Sequence, residues 1–202
     1  MKKTKKDFAY VVGIDEAGRG PLAGPVSIAA AALPMKSKIP CFWGEVRDSK
    51  KLSPAAREKL YRLARLEREK GVLDFSSTLV GEAQIDKLGI VRAIRIGIQR
   101  CLKHLGCPPE HSLVLLDGGL RASRAYPHQK TLIRGDGREK LIALASIVAK
   151  VTRDRKMIRL SKDYPEYSFH IHKGYGTAIH VRALRRHGVS SVHRKTFVKK
   201  FI

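Results

Sequence analysis

Apolar residues in this chain gather into short runs that alternate with longer amphipathic stretches. Residues 8–14, Phe-Ala-Tyr-Val-Val-Gly-Ile, and 112–116, Ser-Leu-Val-Leu-Leu, are apolar runs of strand length. That is the pattern of strands buried on both faces. Residues 26–33, Val-Ser-Ile-Ala-Ala-Ala-Ala-Leu, read as a further strand, although four alanines leave a helix open. Residues 72–80 alternate loosely and predict a strand, and 131–134 predict a short one. Elsewhere the period lengthens. Ser53-Pro54 supplies a capping hydroxyl and then a proline at the first helical position. Leu60, Leu63 and Ala64 then share one face of a helix that Gly71 stops. Residues 82–105 predict one long helix, with Ile94, Ile98, Cys101, Leu102 and Leu105 at helical spacing and Gly106 and Pro108-Pro109 ending it. Residues 138–160 predict another, striped by Leu141, Ala145, Val148 and Thr152. A last helix spans 177–187, capped by Thr177 and stopped by Gly188. Strands interleaved with helices predict an α/β layered domain with a mixed sheet.

The length, 202 residues, suits one such domain, and no internal repeat or low-complexity linker divides it. Hydrophobic residues at 43% and charged residues at 29% describe a globular chain. Charge narrows the function. Lys+Arg 41 against Asp+Glu 18 leaves a net charge of +23, which favours a polyanionic partner. Cys41, Cys101 and Cys107 form no Cys-x-x-Cys pair, so neither a disulfide framework nor a zinc ribbon is indicated, and a reducing, cytoplasmic setting fits. No run of about 18 apolar residues is present, so no membrane span is expected. Residues 2–6 read as an added basic arm, and 34–46 as a loop with Phe42-Trp43 exposed.

The chemistry concentrates after the first strand, in Gly13-Ile14-Asp15-Glu16-Ala17-Gly18-Arg19-Gly20-Pro21. Adjacent carboxylates repel unless a cation lies between them, so Asp15 and Glu16 suggest a hard divalent metal. Both reach one site only if the strand has already broken at Glu16, because regular strand geometry sends neighbours to opposite faces. The glycines let backbone N–H groups approach a phosphate or sugar closely. Asp117 ends a later strand, where sheet ligands gather, yet Asp-Gly-Gly is also a plain turn. Asp154, late in a helix among Lys150, Arg153 and Arg155, is a fourth candidate that equally well pairs with those cations. Asp136, in Gly135-Asp136-Gly137, rivals it and is also explained as a turn residue. Two divalent ions roughly 4 Å apart can promote phosphodiester hydrolysis. His170-x-His172 is a poor zinc site, with no third ligand at zinc spacing. His172, His180 and His193 suit phosphate contact or packing. A non-catalytic basic nucleic-acid-binding protein accounts for the charge but leaves Asp15 and Glu16 without a purpose.

The opening motif resembles that of the type 2 ribonuclease H family, ribonuclease HII. Further blocks follow in that family's order: Asp48-Ser49-Lys50-Lys51-Leu52-Ser53, Leu116-Asp117-Gly118, Ala145-Ser146-Ile147-Val148-Ala149-Lys150-Val151-Thr152-Arg153-Asp154, His172-Lys173-Gly174-Tyr175-Gly176-Thr177 and His193-Arg194-Lys195-Thr196-Phe197. The resemblance covers roughly residues 8–198. It implies a ribonuclease H-like fold: a mixed five-stranded sheet flanked by helices in a single 1–202 domain, with roughly 160–202 a helical part that closes over substrate. It implies a catalytic, metal-binding quartet of Asp15, Glu16, Asp117 and Asp154, with Mg²⁺ or Mn²⁺ as cofactor and a two-metal site when substrate is bound. The implied reaction is hydrolysis on the 5′ side of a ribonucleotide, leaving a 3′-hydroxyl and a 5′-phosphate. Substrates would be RNA–DNA hybrids and duplex DNA holding single ribonucleotides, and the protein a monomer. Gly18, Arg19 and Gly20 would contact the 2′-hydroxyl, Tyr175 the next sugar, and Lys50 and Lys173 phosphates. The segment 196–202 lacks a convincing replication-clamp motif.

Overall fold

The computed structural model describes residues 7–201, and the basic arm at residues 2–6 lies outside them. Five strands form one sheet in the order β3-β2-β1-β4-β5. They are β1 (Tyr10–Ala17), β2 (Val26–Pro34), β3 (Asp74–Val80), β4 (Ser112–Asp117) and β5 (Gln129–Leu132). β1 runs antiparallel to β2 and parallel to β4, β2 is antiparallel to β3, and β4 is parallel to β5. The mixed sheet is therefore present, with the carboxyl ends of β1, β4 and β5 on one edge. β1 does not break at Glu16: the ladder continues through Glu16 and Ala17, paired with Ile28 and Ser27.

Helices cover both faces. On one side lie α1 (Pro54–Glu69) and α4 (Lys140–Asp163). Leu60 and Ala64 of α1 and Leu144, Ala145 and Val148 of α4 pack with Val11, Ala29, Ala31, Leu113 and Leu115 of the sheet. On the other lie α2 (Glu82–Leu88) and α3 (Ile90–Leu105), where Ile94, Ile98, Cys101 and Leu102 meet Val12, Ile14, Ile28, Val114 and Leu116. Ser53 caps α1 by accepting from the Ala56 N–H at 3.2 Å. The expected single helix over 82–105 is two, because Gly89 adopts φ +78 between them. The alanine tract of β2 is a strand buried on both faces, where small side chains let helices come close on either side. α4 has no single apolar stripe, since every residue from Leu141 to Ala149 is buried. Its first turns lie so tightly on β1 that a Cβ at Gly13 would overlap the Leu141 backbone. Phe42, expected at the surface, is 3% exposed and belongs to the core under α1, while Trp43 is half-buried.

The C-terminal part adds α5 (Phe169–His172), α6 (Ala178–His187) and α7 (Lys195–Val198) around a third apolar cluster of Leu22, Met157, Tyr167, Phe169 and Leu184. Three buried histidines knit it together. His193 Nδ1 accepts from the Ser190 N–H at 3.1 Å, so the ring proton sits on Nε2, which donates to His180 Nε2 at 3.1 Å. His180 Nδ1 then donates to the Tyr175 carbonyl at 2.9 Å. His172 accepts from the Gly174 N–H at Nδ1 and donates from Nε2 to the Tyr167 carbonyl. These histidines pack and hydrogen-bond within the protein, and each bond in the chain requires neutral rings.

Two outcomes follow from this packing. Gly13→Ala is expected to destabilise the fold by roughly 1–3 kcal/mol, because backbone rather than a movable side chain stands in the way, read as a lower denaturation midpoint. Burial, with the neighbouring ring adding to it, pushes His180 and His193 from the ordinary 6.5 down to about 4. Between those values unfolding takes up protons, so the stability they contribute is full above about pH 6.5 and is lost as pH falls towards 4. The melting temperature should drop through that window, and less steeply in His193→Gln.

Candidate active site

Side chains of β1 alternate, so Val11, Gly13 and Asp15 face α4 while Val12, Ile14 and Glu16 face the other way. Asp15 thus meets the Ser146 hydroxyl of α4, which is itself 2.7 Å from that of Ser49. The register Ile14↔Leu116 sets Asp117 of β4 beside the β1 acids. Asp117 Oδ1 accepts from the Gly135 N–H at 2.6 Å, tying the turn Gly135–Gly137 to the strand end. That turn delivers Asp136. Asp15, Asp117 and Asp136 each bring one oxygen within 4.8 Å of the others, the only such group of acidic or metal-ligating side chains among the described residues.

The electrostatics of the group favour a cation. Asp15 and Asp136 are each 6% exposed. Burial, and then the charge of Glu16, hold the Asp15 carboxyl well above the usual range. Burial also raises Glu16, against the pull of Arg19 at 3.6 Å. Among the described residues only Lys50, 3.5 Å from Asp136, offers a positive group to the triad itself. Three to four carboxylates and no thiol or imidazole make a hard oxygen site of the kind that takes Mg²⁺ or Mn²⁺.

Asp154 stands apart. Ser146 marks where α4 passes Asp15, and eight further residues carry the helix about 12 Å onward. There Asp154 pairs with Lys150 at 2.8 Å and faces Arg57 Nη2 at 3.9 Å. The metal-sized cluster therefore takes Asp136 where the sequence reading placed Asp154. The turn glycines that made Asp136 look like a plain loop residue are what let it fold back onto Asp117: a Cβ at Gly135 would press into the Ile142 side chain.

A cleft of about 250 Å³ is lined by Asp15, Glu16 and Asp117, and Gly18, Arg19, Gly20, Lys50 and Tyr175 line it as well. Arg57 and Lys150 line it too and went unnoticed as site residues, since a lone arginine or lysine carries no signal in so basic a chain. Lys173 is not among the lining residues; it takes a left-handed conformation, φ +52, and its ammonium donates to the His170 carbonyl. A larger groove of about 700 Å³ beside Arg95, Arg121 and Arg124 holds no carboxylate and is no metal site.

Residues 12–200 match the family model described as ribonuclease HII. The chain is 42% identical over 192 residues to a ribonuclease HII of Endomicrobium trichonymphae, covering 95% of this chain and 87% of that protein. It is 41% identical over 199 residues to one of Fusobacterium nucleatum, with 97% and 89% covered. Among solved structures it is similar to ribonuclease HII in the PCNA:RNase HII complex from Archaeoglobus fulgidus, with TM-score 0.71, 22% identity and 92% and 93% of the chains covered. It is also similar to ribonuclease H2 from Pyrococcus horikoshii, with TM-score 0.69, 23% identity and 95% and 96% covered. At those identities the two structures speak for the ribonuclease H-like fold, which the sheet order and flanking helices here share. Family model and sequence relatives go further, and by them this chain belongs to the ribonuclease HII family of metal-dependent endonucleases.

Proposed function

We propose that the protein hydrolyses the phosphodiester on the 5′ side of a ribonucleotide, in RNA–DNA hybrids and at single ribonucleotides within duplex DNA, leaving a 3′-hydroxyl and a 5′-phosphate. The observation that carries this reading is the convergence of Asp15, Asp117 and Asp136, with Asp15 and Asp117 lining the same cleft as Gly18, Arg19 and Gly20. Asp15, Asp117 and Asp136 would hold Mg²⁺ or Mn²⁺, and Glu16, which lines the same cleft although β1 does not break there, would add a fourth carboxylate at its edge. Such ions supply Lewis acidity toward water and the scissile phosphate.

The chain's own groups do the rest. Gly135 aims Asp117, and Ser146 aims Asp15, so the donors converge before any ligand arrives. Lys50, Lys150 and Arg57 place positive charge along the cleft for the phosphate backbone. Asp154 holds Lys150 and Arg57 in that position and is not itself a ligand. Tyr175 offers an aromatic face, 43% exposed, to a sugar of the bound strand. Residues 160–201 form the layer that closes over the duplex, and Lys173, at its edge, meets the flanking backbone rather than the reacting phosphate. Free thiols on Cys41, Cys101 and Cys107 suit a reducing cytoplasm.

Incubated with Mg²⁺ or Mn²⁺, the protein should nick a duplex holding one ribonucleotide once, on its 5′ side. A chelator should abolish the cut and leave an all-DNA duplex intact throughout. Absence of that nick with either ion overturns the reading. Replacing Asp136 by Asn should cost more than the roughly 10–100-fold expected for a residue that only supports a metal ligand, whereas Asp154→Asn should stay within that range. Measured kcat/KM in the opposite order would return the fourth ligand position to Asp154.

A further inference from the structure

Two arginines are fully buried with no ion pair among the described residues, and both face the loop at residues 18–25. Arg194 donates from Nη2 to the Gly18 carbonyl at 2.7 Å, from Nη1 to the Arg19 carbonyl at 2.9 Å and from Nε to the Gly24 carbonyl at 2.9 Å. Arg153 donates to the carbonyls of Pro25 at 2.9 Å and Ala23 at 3.2 Å. Five carbonyls of one loop are thus turned inward by two guanidiniums. Backbone bonds hold the same loop between the C-terminal segments: Leu22 donates to Gly174, Gly24 to Val192, and Arg194 to Leu22.

The peptide group converts that inward pull into an outward display. In a trans peptide the N–H points opposite to the C=O. Drawing the Gly18 and Arg19 carbonyls onto Arg194 therefore points the Arg19 and Gly20 N–H groups away from it. Both residues are exposed, both line the cleft, and neither N–H meets an acceptor among the described residues. A cation at the oxygen end of each amide also polarises it and strengthens the donor at the other end. The arrangement needs glycine at 18, where φ is +90 and a Cβ would overlap the Arg153 side chain. As a mere filler, a buried guanidinium is a poor choice, since apolar residues of similar volume cost less to bury. Its fork of donors is what the three carbonyls require, and a lysine cannot reproduce it.

We propose that Arg194 is a positioning residue for recognition of ribose: it fixes the Arg19 and Gly20 amides as a pair of donors for the 2′-hydroxyl and adjoining phosphate of the substrate. The proposal rests on the ribonuclease reading above. Its partner Arg153 seats the other half of the loop.

The test compares KM for a duplex holding one ribonucleotide with the inhibition constant of the matching all-DNA duplex. Nicking by the unaltered protein comes first, and its failure would count against the ribonuclease reading alone. Given that activity, Arg194→Lys should raise KM roughly tenfold, as loss of hydrogen bonds to a charged group implies, and leave the all-DNA constant unchanged. An equal rise in both constants would make Arg194 a structural brace and overturn the proposal. Gly20→Pro removes one of the two donors without touching Arg194, and Gly20→Ala keeps it, since a Cβ there meets nothing within 4 Å. The proline variant should show a KM several-fold above that of the alanine variant. Equal KM values for the two would overturn the proposal even if the Arg194 variant fails to fold.

Discussion

The structure is organised around the repulsion of carboxylates that have been withdrawn from water. Asp15, Glu16 and Asp117 stand at the ends of two adjacent parallel strands, with Asp136 folded onto them. In a sheet chosen only for stability, such a set would be costly, because charge that is buried or crowded by like charge is disfavoured. Here neighbouring elements compensate in part. A backbone amide serves Asp117, a hydroxyl serves Asp15, and Arg19 leans over Glu16. What remains uncompensated is the affinity for a divalent ion.

Around that centre the cations are sorted by depth. Arg57 and Lys150 are tied to Asp154 at the cleft wall, so their positive charge is directed rather than diffuse. Lys50 is far more exposed and can swing between Asp136 and a passing phosphate. Arg153 and Arg194 have left the surface altogether and act on backbone carbonyls. A single net charge of +23 thus covers three physical jobs: attraction of a polyanion, local aim, and internal bracing.

Much of the architecture was legible because periodicity reports burial directly. The strands at 10–17 and 112–117 announced themselves as apolar runs, and Ser53-Pro54 and Thr177 as caps. What failed were features decided by tertiary context. One glycine at φ +78 divides a periodic stretch into two helices, a choice that spacing cannot reveal. Phe42 sits in a polar loop yet fills the core beneath α1. The site followed the same rule. Asp15, Glu16 and Asp117 were readable from strand ends, while choosing between Asp136 and Asp154 needed the path of α4, which its packing on the sheet sets, closest at Gly13. Arg194 stood within a block of the resemblance, but its role carried no local signal, since its partners lie 170 to 176 residues away in the chain.

That long reach has a consequence for how the protein comes into being. On a ribosome, the first strand, Asp117, Asp136 and Ser146 all emerge well before residue 194. A nascent chain could assemble its carboxylates while the loop of residues 18–25 still lacked Arg194, the Leu22 tie and the Ala23↔His193 bridge. Competence to tell ribose from deoxyribose is then the last property acquired during synthesis, and a chain cut short before residue 194 keeps its acids and the loop but lacks the arginine that braces it.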